Sequence, residues 1–164
     1  MGDDVPAGYQ PLPLGAEDFN AVLGPFYGAA FDDGIRLGVR LTARHLNVFG
    51  TAHGGAIAAI ADMQGLLVQQ ISGYTNRLTP TVSLTVDYIG PSAKGEWLDF
   101  RPTLLHATGS MLFSETKVHS NGRLVARSSA IFKIGPIADR PFATLGRFFA
   151  ERFPGSVPDL VDRA

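Results

Sequence analysis

The stretch that decides the fold runs from Asn47 to Asp62 and reads Asn-Val-Phe-Gly-Thr-Ala-His-Gly-Gly-Ala-Ile-Ala-Ala-Ile-Ala-Asp. It joins a glycine-rich loop to an apolar segment, and from Gly54 through Asn76 the only charged side chain is that of Asp62. Such a long run without other charges, starting after a loop, predicts one long helix over residues 54–71. Because this helix is apolar nearly all round, the rest of the fold must bury it.

Both parts of this stretch also carry groups that could bind a ligand or take part in catalysis. The paired glycines Gly54 and Gly55 let main-chain N–H groups approach a ligand closely at the positive end of the helix dipole. A single acid inside an apolar segment is costly unless it is needed, although Asp62 could also be a structural acid. An oxyanion-holding helix start followed by a base or nucleophile favours acyl-transfer chemistry.

Strand-like runs lie on both sides of the predicted helix. Two precede it, at residues 26–31 and 35–41, and four follow it, at residues 81–89, 97–107, 111–120 and 124–134. Asn121-Gly122 is a strong hairpin signal between the last two runs. One long helix followed by an antiparallel meander predicts the α+β class, with a curved antiparallel sheet wrapped around one central helix.

The chain divides into three predicted parts. Residues 1–15, rich in Pro, Gly and Asp, read as a flexible N-terminal arm, and residues 16–137 as the main domain. Residues 138–164 form a C-terminal extension, partly helical because Phe142, Leu145, Phe148 and Phe149 recur at helical spacing.

Composition excludes several classes of function. The chain has 164 residues, a net charge of −1 and no cysteine. The charge balance favours neither nucleic acid nor an anionic membrane as a partner. The missing cysteines exclude a cysteine nucleophile or a thiolate zinc site, and the four histidines lack metal-binding spacing, so neither metal nor cofactor is expected. Without an apolar membrane span or an export signal, a cytoplasmic location is expected.

The order of motifs resembles a known family. Asn47, Gly50, His53, Gly54 and Gly55, with an acid nine residues after the histidine and four antiparallel strands to follow, are similar to the hotdog-fold acyl-CoA thioesterases. The resemblance extends to residues 82–91, which read Val-Ser-Leu-Thr-Val-Asp-Tyr-Ile-Gly-Pro. It favours the phenylacetate-degradation branch, related to the 4-hydroxybenzoyl-CoA thioesterases with an acid on the central helix, and covers roughly residues 16–134.

The resemblance implies a role for each motif residue. The Gly54 N–H would polarise the thioester carbonyl, while Asp62 would attack that carbonyl or activate water to do so. Asn47 and His53 would shape the pocket, and Thr81 would position the water. The full set of implied catalytic and substrate-binding residues is Asn47, Gly50, His53, Gly54, Gly55, Asp62 and Thr81. Relatives carry either Asp or Glu at position 62, so both a nucleophilic and a general-base role stay open.

Plainer interpretations exist for several of these residues. His53 could simply fix the turn through a loop carbonyl, Asn47 could organise the loop through local hydrogen bonds, and Thr81 could be an ordinary strand residue. The function also has two alternatives on the same fold, a non-catalytic acyl-CoA-binding protein and an acyl-thioester hydratase or dehydratase.

The spacing of Gly54 and Asp62 predicts assembly. Eight residues on one helix separate them by about 12 Å, which is too far for one thioester to touch both. An antiparallel homodimer, or a homotetramer built from such dimers, would bring Gly54 of one chain near the acid of another. The expected substrate is a CoA thioester with an apolar acyl or aryl group, bound mainly by apolar burial.

Overall fold

A computed structural model describes residues 5–14, 17–75, 77–137 and 148–158 of the chain. The strands are β1 (Gln10–Pro11), β2 (Phe26–Phe31), β3 (Gly34–Arg40), β4 (Thr81–Tyr88), β5 (Trp97–Ala107), β6 (Met111–Ser120) and β7 (Arg123–Lys133). The helices are α1 (Asn20–Leu23), α2 (Gly54–Asp62) and α3 (Gln64–Ser72), with a 3₁₀ turn at Ala43–His45. Residues 148–152 are also helical.

The seven strands form one antiparallel sheet in the order β1-β2-β3-β5-β6-β7-β4. All six strand-like runs predicted from the sequence are strands, and their ends differ from the prediction by at most one residue. The predicted hairpin is present, since Asn121 and Gly122 have φ values of 47° and 78°, as a type I′ turn requires. The predicted α+β class is therefore confirmed.

The central helix is interrupted once, which the sequence did not predict. α2 ends at Asp62 and α3 begins at Gln64, with Met63 between them. The Met63 N–H donates to the Ile60 carbonyl at 3.1 Å, and the Leu66 N–H donates to the Met63 carbonyl at 3.0 Å. These bonds span three residues rather than four, so the helix tightens locally at this point. The break lies directly after the acid that the sequence singled out.

A buried polar network fixes this break against the sheet. The Gln64 amide donates to the Ser128 hydroxyl at 3.0 Å, and its carbonyl oxygen accepts from Ser114 at 2.9 Å and from Thr116 at 3.0 Å. All four residues are at most 2% exposed. Because buried polar groups must be paired, this network holds the start of α3 on β6 and β7 and so sets the position of Asp62.

The core lies between the sheet and the two central helices. Its largest buried cluster combines residues of β2, β3, β5, β6 and β7 with residues of α2 and α3, among them Phe26, Ile35, Leu37, Ile57, Ile60, Leu67, Phe100 and Val118. The apolar helices are thus buried against the apolar face of the sheet, as a layered fold requires.

Segments near both ends of the described residues add to this core. β1 pairs with β2, and Leu12 directly after it is 5% exposed. Near the other end, Phe148 and Phe149 are buried in the same cluster. The other two aromatic and aliphatic residues of the predicted tail helix, Phe142 and Leu145, lie outside the described residues, and the division into arm, domain and extension stays a prediction.

Candidate active site

The start of α2 presents one main-chain N–H that none of the described residues accepts. The His53 side chain caps the helix, because its Nδ1 accepts from the Gly55 N–H at 2.9 Å. The His53 carbonyl accepts from the Ala56 N–H at 2.9 Å and from the Ile57 N–H at 3.1 Å. No hydrogen bond joins the Gly54 N–H to any residue in the described ranges. It is therefore the first-turn donor that is available to a ligand at the positive end of the helix.

His53 thus has a structural role as the N-cap of α2. Since its Nδ1 is an acceptor, the neutral ring carries its proton on Nε2. His53 does fix the turn, but its partner is the Gly55 N–H rather than the loop carbonyl of the plainer interpretation, and its Nε2 remains as a donor near the helix start.

Asn47 organises the loop before the helix. Its Oδ1 accepts from the Phe49 N–H at 2.9 Å and from the Thr51 N–H at 3.2 Å, while its Nδ2 donates to the Thr51 hydroxyl at 2.9 Å. Gly50 closes this turn with a φ of 77°, in the left-handed region that favours glycine. In the isolated chain the Asn47 amide is therefore engaged within its own loop.

His45 holds the end of the same loop through a main-chain hydrogen bond, a role that the sequence did not reveal. It is fully buried, and its carbonyl accepts from the His53 N–H at 2.7 Å. Its Nδ1 accepts from the Thr42 N–H at 2.9 Å, so its Nε2 carries the proton and donates to the Leu23 carbonyl at 2.8 Å. Burial lowers the pKa of His45, which keeps the ring neutral in this tautomer.

Tyr88, at the end of β4, also meets the helix start without having been predicted to do so. Its hydroxyl donates to the Gly54 carbonyl at 2.8 Å. A methyl group at position 54 would lie 3.2 Å from Cζ of the Tyr88 ring, which is tighter than an ordinary contact. Glycine therefore lets the strand and the helix start approach each other closely.

Asp62 and Thr81 meet at the opposite end of α2. The Thr81 hydroxyl donates to Oδ1 of Asp62 at 2.9 Å, so the last residue of α2 is joined to the first residue of β4. Asp62 is half-buried and forms no ion pair with any residue that the structure describes. A carboxylate without a cation, held by one hydroxyl, keeps a free oxygen for a ligand or water.

A cavity of about 320 Å³ opens beside this pair. Apart from Asp62 and Thr81, its wall is mostly apolar, with Asn20 and Thr79 as the other polar side chains. The lining residues are Phe19, Asn20, Ala59, Asp62, Met63, Gly65, Leu66, Thr79, Thr81 and Phe132. An open cavity that combines apolar side chains with a few convergent polar groups is typical of a small-molecule site.

The predicted site residues thus fall into two groups. Asn47, Gly50, His53, Gly54 and Gly55 lie together at the start of α2, and the acid and its hydroxyl partner lie at its end. The length of α2, about 12 Å, separates them within one chain. Within the described ranges, no cluster of three or more histidine, aspartate or glutamate side chains could hold a metal ion. None of the described helices has the length and apolar character needed to cross a membrane.

Comparison with known proteins identifies the class of protein. The model of the thioesterase superfamily matches residues 49–127. The Pseudomonas aeruginosa protein named "Putative esterase PA0474" is 31% identical over 134 residues, which cover 80% of this chain and 98% of that protein. The chain belongs to the thioesterase superfamily, as the sequence motifs predicted.

Solved structures show the same architecture. A variant of the phenylacetic acid degradation protein PaaI from Thermus thermophilus is similar with a TM-score of 0.61 and 25% identity, covering 71% of this chain and 97% of that one. The smu.793 protein of Streptococcus mutans, solved with acetyl CoA bound, has a TM-score of 0.62 and 21% identity, covering 71% and 93%. The predicted hotdog fold is therefore confirmed.

Proposed function

We propose that the protein is an acyl-CoA thioesterase that hydrolyses an apolar acyl- or aryl-CoA to the free acid and CoA. The observation that carries this proposal is the Thr81–Asp62 hydrogen bond of 2.9 Å at the wall of an apolar cavity. The unused Gly54 N–H supplies the second requirement, a donor for a developing oxyanion. Acetyl CoA and coenzyme A are bound to two proteins of the same fold, which supports a CoA thioester as the ligand class.

Both groups would act on the thioester carbonyl. The Gly54 N–H donates to the carbonyl oxygen and stabilises its negative charge as a bond forms to the carbonyl carbon. In the general-base route, Asp62 takes a proton from water while the water oxygen forms that bond. The C–S bond then breaks, and the CoA thiolate takes the proton from Asp62, which leaves the free acid.

A nucleophilic route uses the same residues. The Asp62 carboxylate bonds directly to the carbonyl carbon, the CoA thiolate leaves, and water hydrolyses the resulting mixed anhydride. In both routes the hydroxyl of Thr81 orients the carboxylate, and the atoms balance to one water consumed per thioester cleaved.

Assembly of the site requires a second chain, and β4 offers the surface for it. β4 is an edge strand of the sheet and is largely exposed. Its first residue, Thr81, contacts Asp62, whereas its last residue, Tyr88, contacts Gly54. Antiparallel pairing of two β4 strands around a two-fold axis would place the two ends opposite each other. Gly54 would then face Asp62 of the partner subunit, and each homodimer would contain two sites.

Exposed apolar side chains support this choice of surface. Val82 is 56% exposed, Tyr88 55% and Ile89 53%, all on or directly after the edge strand. An unpaired strand edge with exposed apolar residues is a template for pairing with another chain. We propose a homodimer formed in this way, alone or as half of a homotetramer.

Hydrolysis of the thioester is tested by the release of free thiol from a panel of acyl- and aryl-CoA substrates. Asp62→Asn keeps the size of the side chain but removes its basicity, so turnover should fall by about 10²–10⁴-fold. Asp32→Asn, at an exposed turn, is the matched control and should leave turnover unchanged.

The outcomes separate the alternatives. Wild-type turnover in Asp62→Asn would remove this acid from the mechanism. Binding of acyl-CoA in calorimetry without release of thiol would indicate a binding protein, and addition of water to an enoyl-CoA would indicate a hydratase. Sedimentation should give a mass of at least twice 17.5 kDa, and an active monomer would contradict the shared site.

A further inference from the structure

The loop before α2 ends in an unusually exposed apolar pair. Val48 is 94% exposed and Phe49 is 86% exposed, the two highest values among the large hydrophobic side chains of the described residues. We call Val48 and Phe49 the apolar tip. Burial of a phenylalanine side chain is strongly favourable, so a ring that is mostly exposed lacks a large stabilising contribution.

The loop that carries this tip is well organised by hydrogen bonds. Three bonds from the Asn47 side chain fold it, and the His53 N–H ties its end to buried His45. Thr51 additionally bridges to Ala93. The tip is thus presented in a defined place, which is the property of a contact surface.

The cavity at the other end of α2 has apolar wall residues that nothing in the described residues covers. It is open, and Phe19 at its wall is 68% exposed, with Val22 of the adjoining short helix 55% exposed. The apolar tip of the same chain is not among its lining residues. A single chain therefore has an apolar tip without a cover at one end of α2 and an apolar cavity without a cover at the other.

The two-fold arrangement of the proposed dimer brings these two features together. An axis that pairs β4 with β4 exchanges the ends of α2, so the loop before Gly54 faces the end of α2 in the partner subunit. We propose that Phe49 closes the acyl cavity of the partner subunit and is a specificity-determining residue that acts in trans. This inference rests on the proposed thioesterase function and adds a residue to the same site.

The role predicts an effect that grows with the acyl group. Gly54, five residues after Phe49, would hold the carbonyl, and the aromatic ring would contact the part of the acyl group beyond it. A short acyl chain reaches little of this ring, whereas a long chain or an aryl group is covered by it. Loss of the ring should therefore weaken selection of large acyl groups over acetyl.

The first experiment measures this selection in Phe49→Ala. The readout is the ratio of kcat/KM for octanoyl-CoA or phenylacetyl-CoA to kcat/KM for acetyl-CoA. Phe49→Ala should lower the ratio by about tenfold or more, which is in the range expected for lost apolar contacts to a substrate. Leu105→Ala is the matched control, because Leu105 is 60% exposed on β5 and outside the cavity lining. A wild-type ratio in Phe49→Ala would overturn the inference.

The second experiment decides whether Phe49 acts within its own chain or on the partner. Phe49→Ala and Asp62→Ala subunits are co-expressed with different tags and purified through both. Every active site then contains the acid of a Phe49→Ala chain. If Phe49 acts in trans, hybrid sites receive an intact ring from the other chain, and the ratio should rise towards the wild-type value. A ratio equal to that of the Phe49→Ala homodimer would overturn the trans role.

These outcomes are distinct from a failure of the proposed function. If the wild-type protein releases no thiol from any acyl-CoA, the thioesterase proposal and this inference fall together. If the wild-type protein is active and only the ratios stay constant, the thioesterase proposal stands and the assignment of Phe49 is wrong.

Discussion

Replacement of Thr81 with valine tests whether the hydroxyl, rather than the bulk, of this side chain serves Asp62. The two side chains have nearly the same shape, so the cavity wall keeps its form. The change removes a donor that lies 2.9 Å from the carboxylate oxygen. A hydrogen bond to a charged group contributes about 1.5–3 kcal/mol. Because Thr81 is exposed and Asp62 half-buried, water competes for this bond, and the lower value applies.

A loss of about 1.5 kcal/mol in the transition state corresponds to a rate reduction of roughly tenfold. We therefore expect kcat/KM of Thr81→Val to fall about tenfold in the thiol-release assay. Thr81→Ser keeps the donor and should stay within about threefold of the wild type by the same energetic argument. Loss of activity in Thr81→Ser combined with wild-type activity in Thr81→Val would show that the methyl packing matters and the hydrogen bond does not. Wild-type activity in Thr81→Val would refute the role altogether.

Two further predictions concern the scaffold. Burial lowers the pKa of His45, so the unfolded chain binds a proton at this ring more readily than the folded chain. The contribution of neutral His45 to the free energy of unfolding is therefore fully present above about pH 6.5 and declines as the pH falls below that value. Urea unfolding between pH 7 and pH 5 should show a smaller decline in His45→Gln than in the wild type, and an identical decline would contradict this linkage. A methyl group at Gly65 would lie 2.6 Å from Cε1 of buried Phe132, so Gly65→Ala should lower the free energy of unfolding by about 1–3 kcal/mol. Gly109→Ala, where the space is open, is the control and should not share that loss.

The elements of the fold could be predicted because two local patterns point to them strongly. Ile35, Leu37, Val39 and Leu41 alternate along β3 and just beyond it, and all four are at most 2% exposed in the core. The long run whose only charged residue is Asp62 indicates a buried helical segment, given its length and its glycine-rich start. In such segments local pattern and tertiary burial agree, which is why both the class and the strands of the meander could be read in advance.

The break at Met63 had no local signal, since neither proline nor glycine occupies this position. It depends on Gln64, whose amide is held by hydroxyls from two distant strands. From the sequence alone this glutamine is one polar residue in an apolar helix. Only the fold brings its partners within reach, so tertiary contacts decide the local helix geometry here.

The candidate site could likewise be predicted only in part. The separation of Gly54 and Asp62 follows from helix geometry, and it was sufficient to predict that one chain cannot complete the site. The family resemblance pointed to Thr81 as a residue that positions water, but its hydrogen bond to Asp62 had no local signal, because eighteen residues and a change of element lie between them. The contact of Tyr88 with Gly54 was missed, since a tyrosine in a strand gives no local sign of a helix terminus as its partner.

That missed contact makes the argument for a shared site stronger than the helix spacing alone. Helix spacing states only that the donor and the acid are too far apart, and it leaves the direction of a second chain open. In the proposed dimer the two hydrogen bonds of β4 define that direction, because one end of the strand is joined to Asp62 and the other end to the carbonyl of Gly54, whose N–H is the proposed donor. Any antiparallel partner on this edge must therefore bring unlike ends together. A parallel partner would bring acid to acid and donor to donor, and it would complete no site.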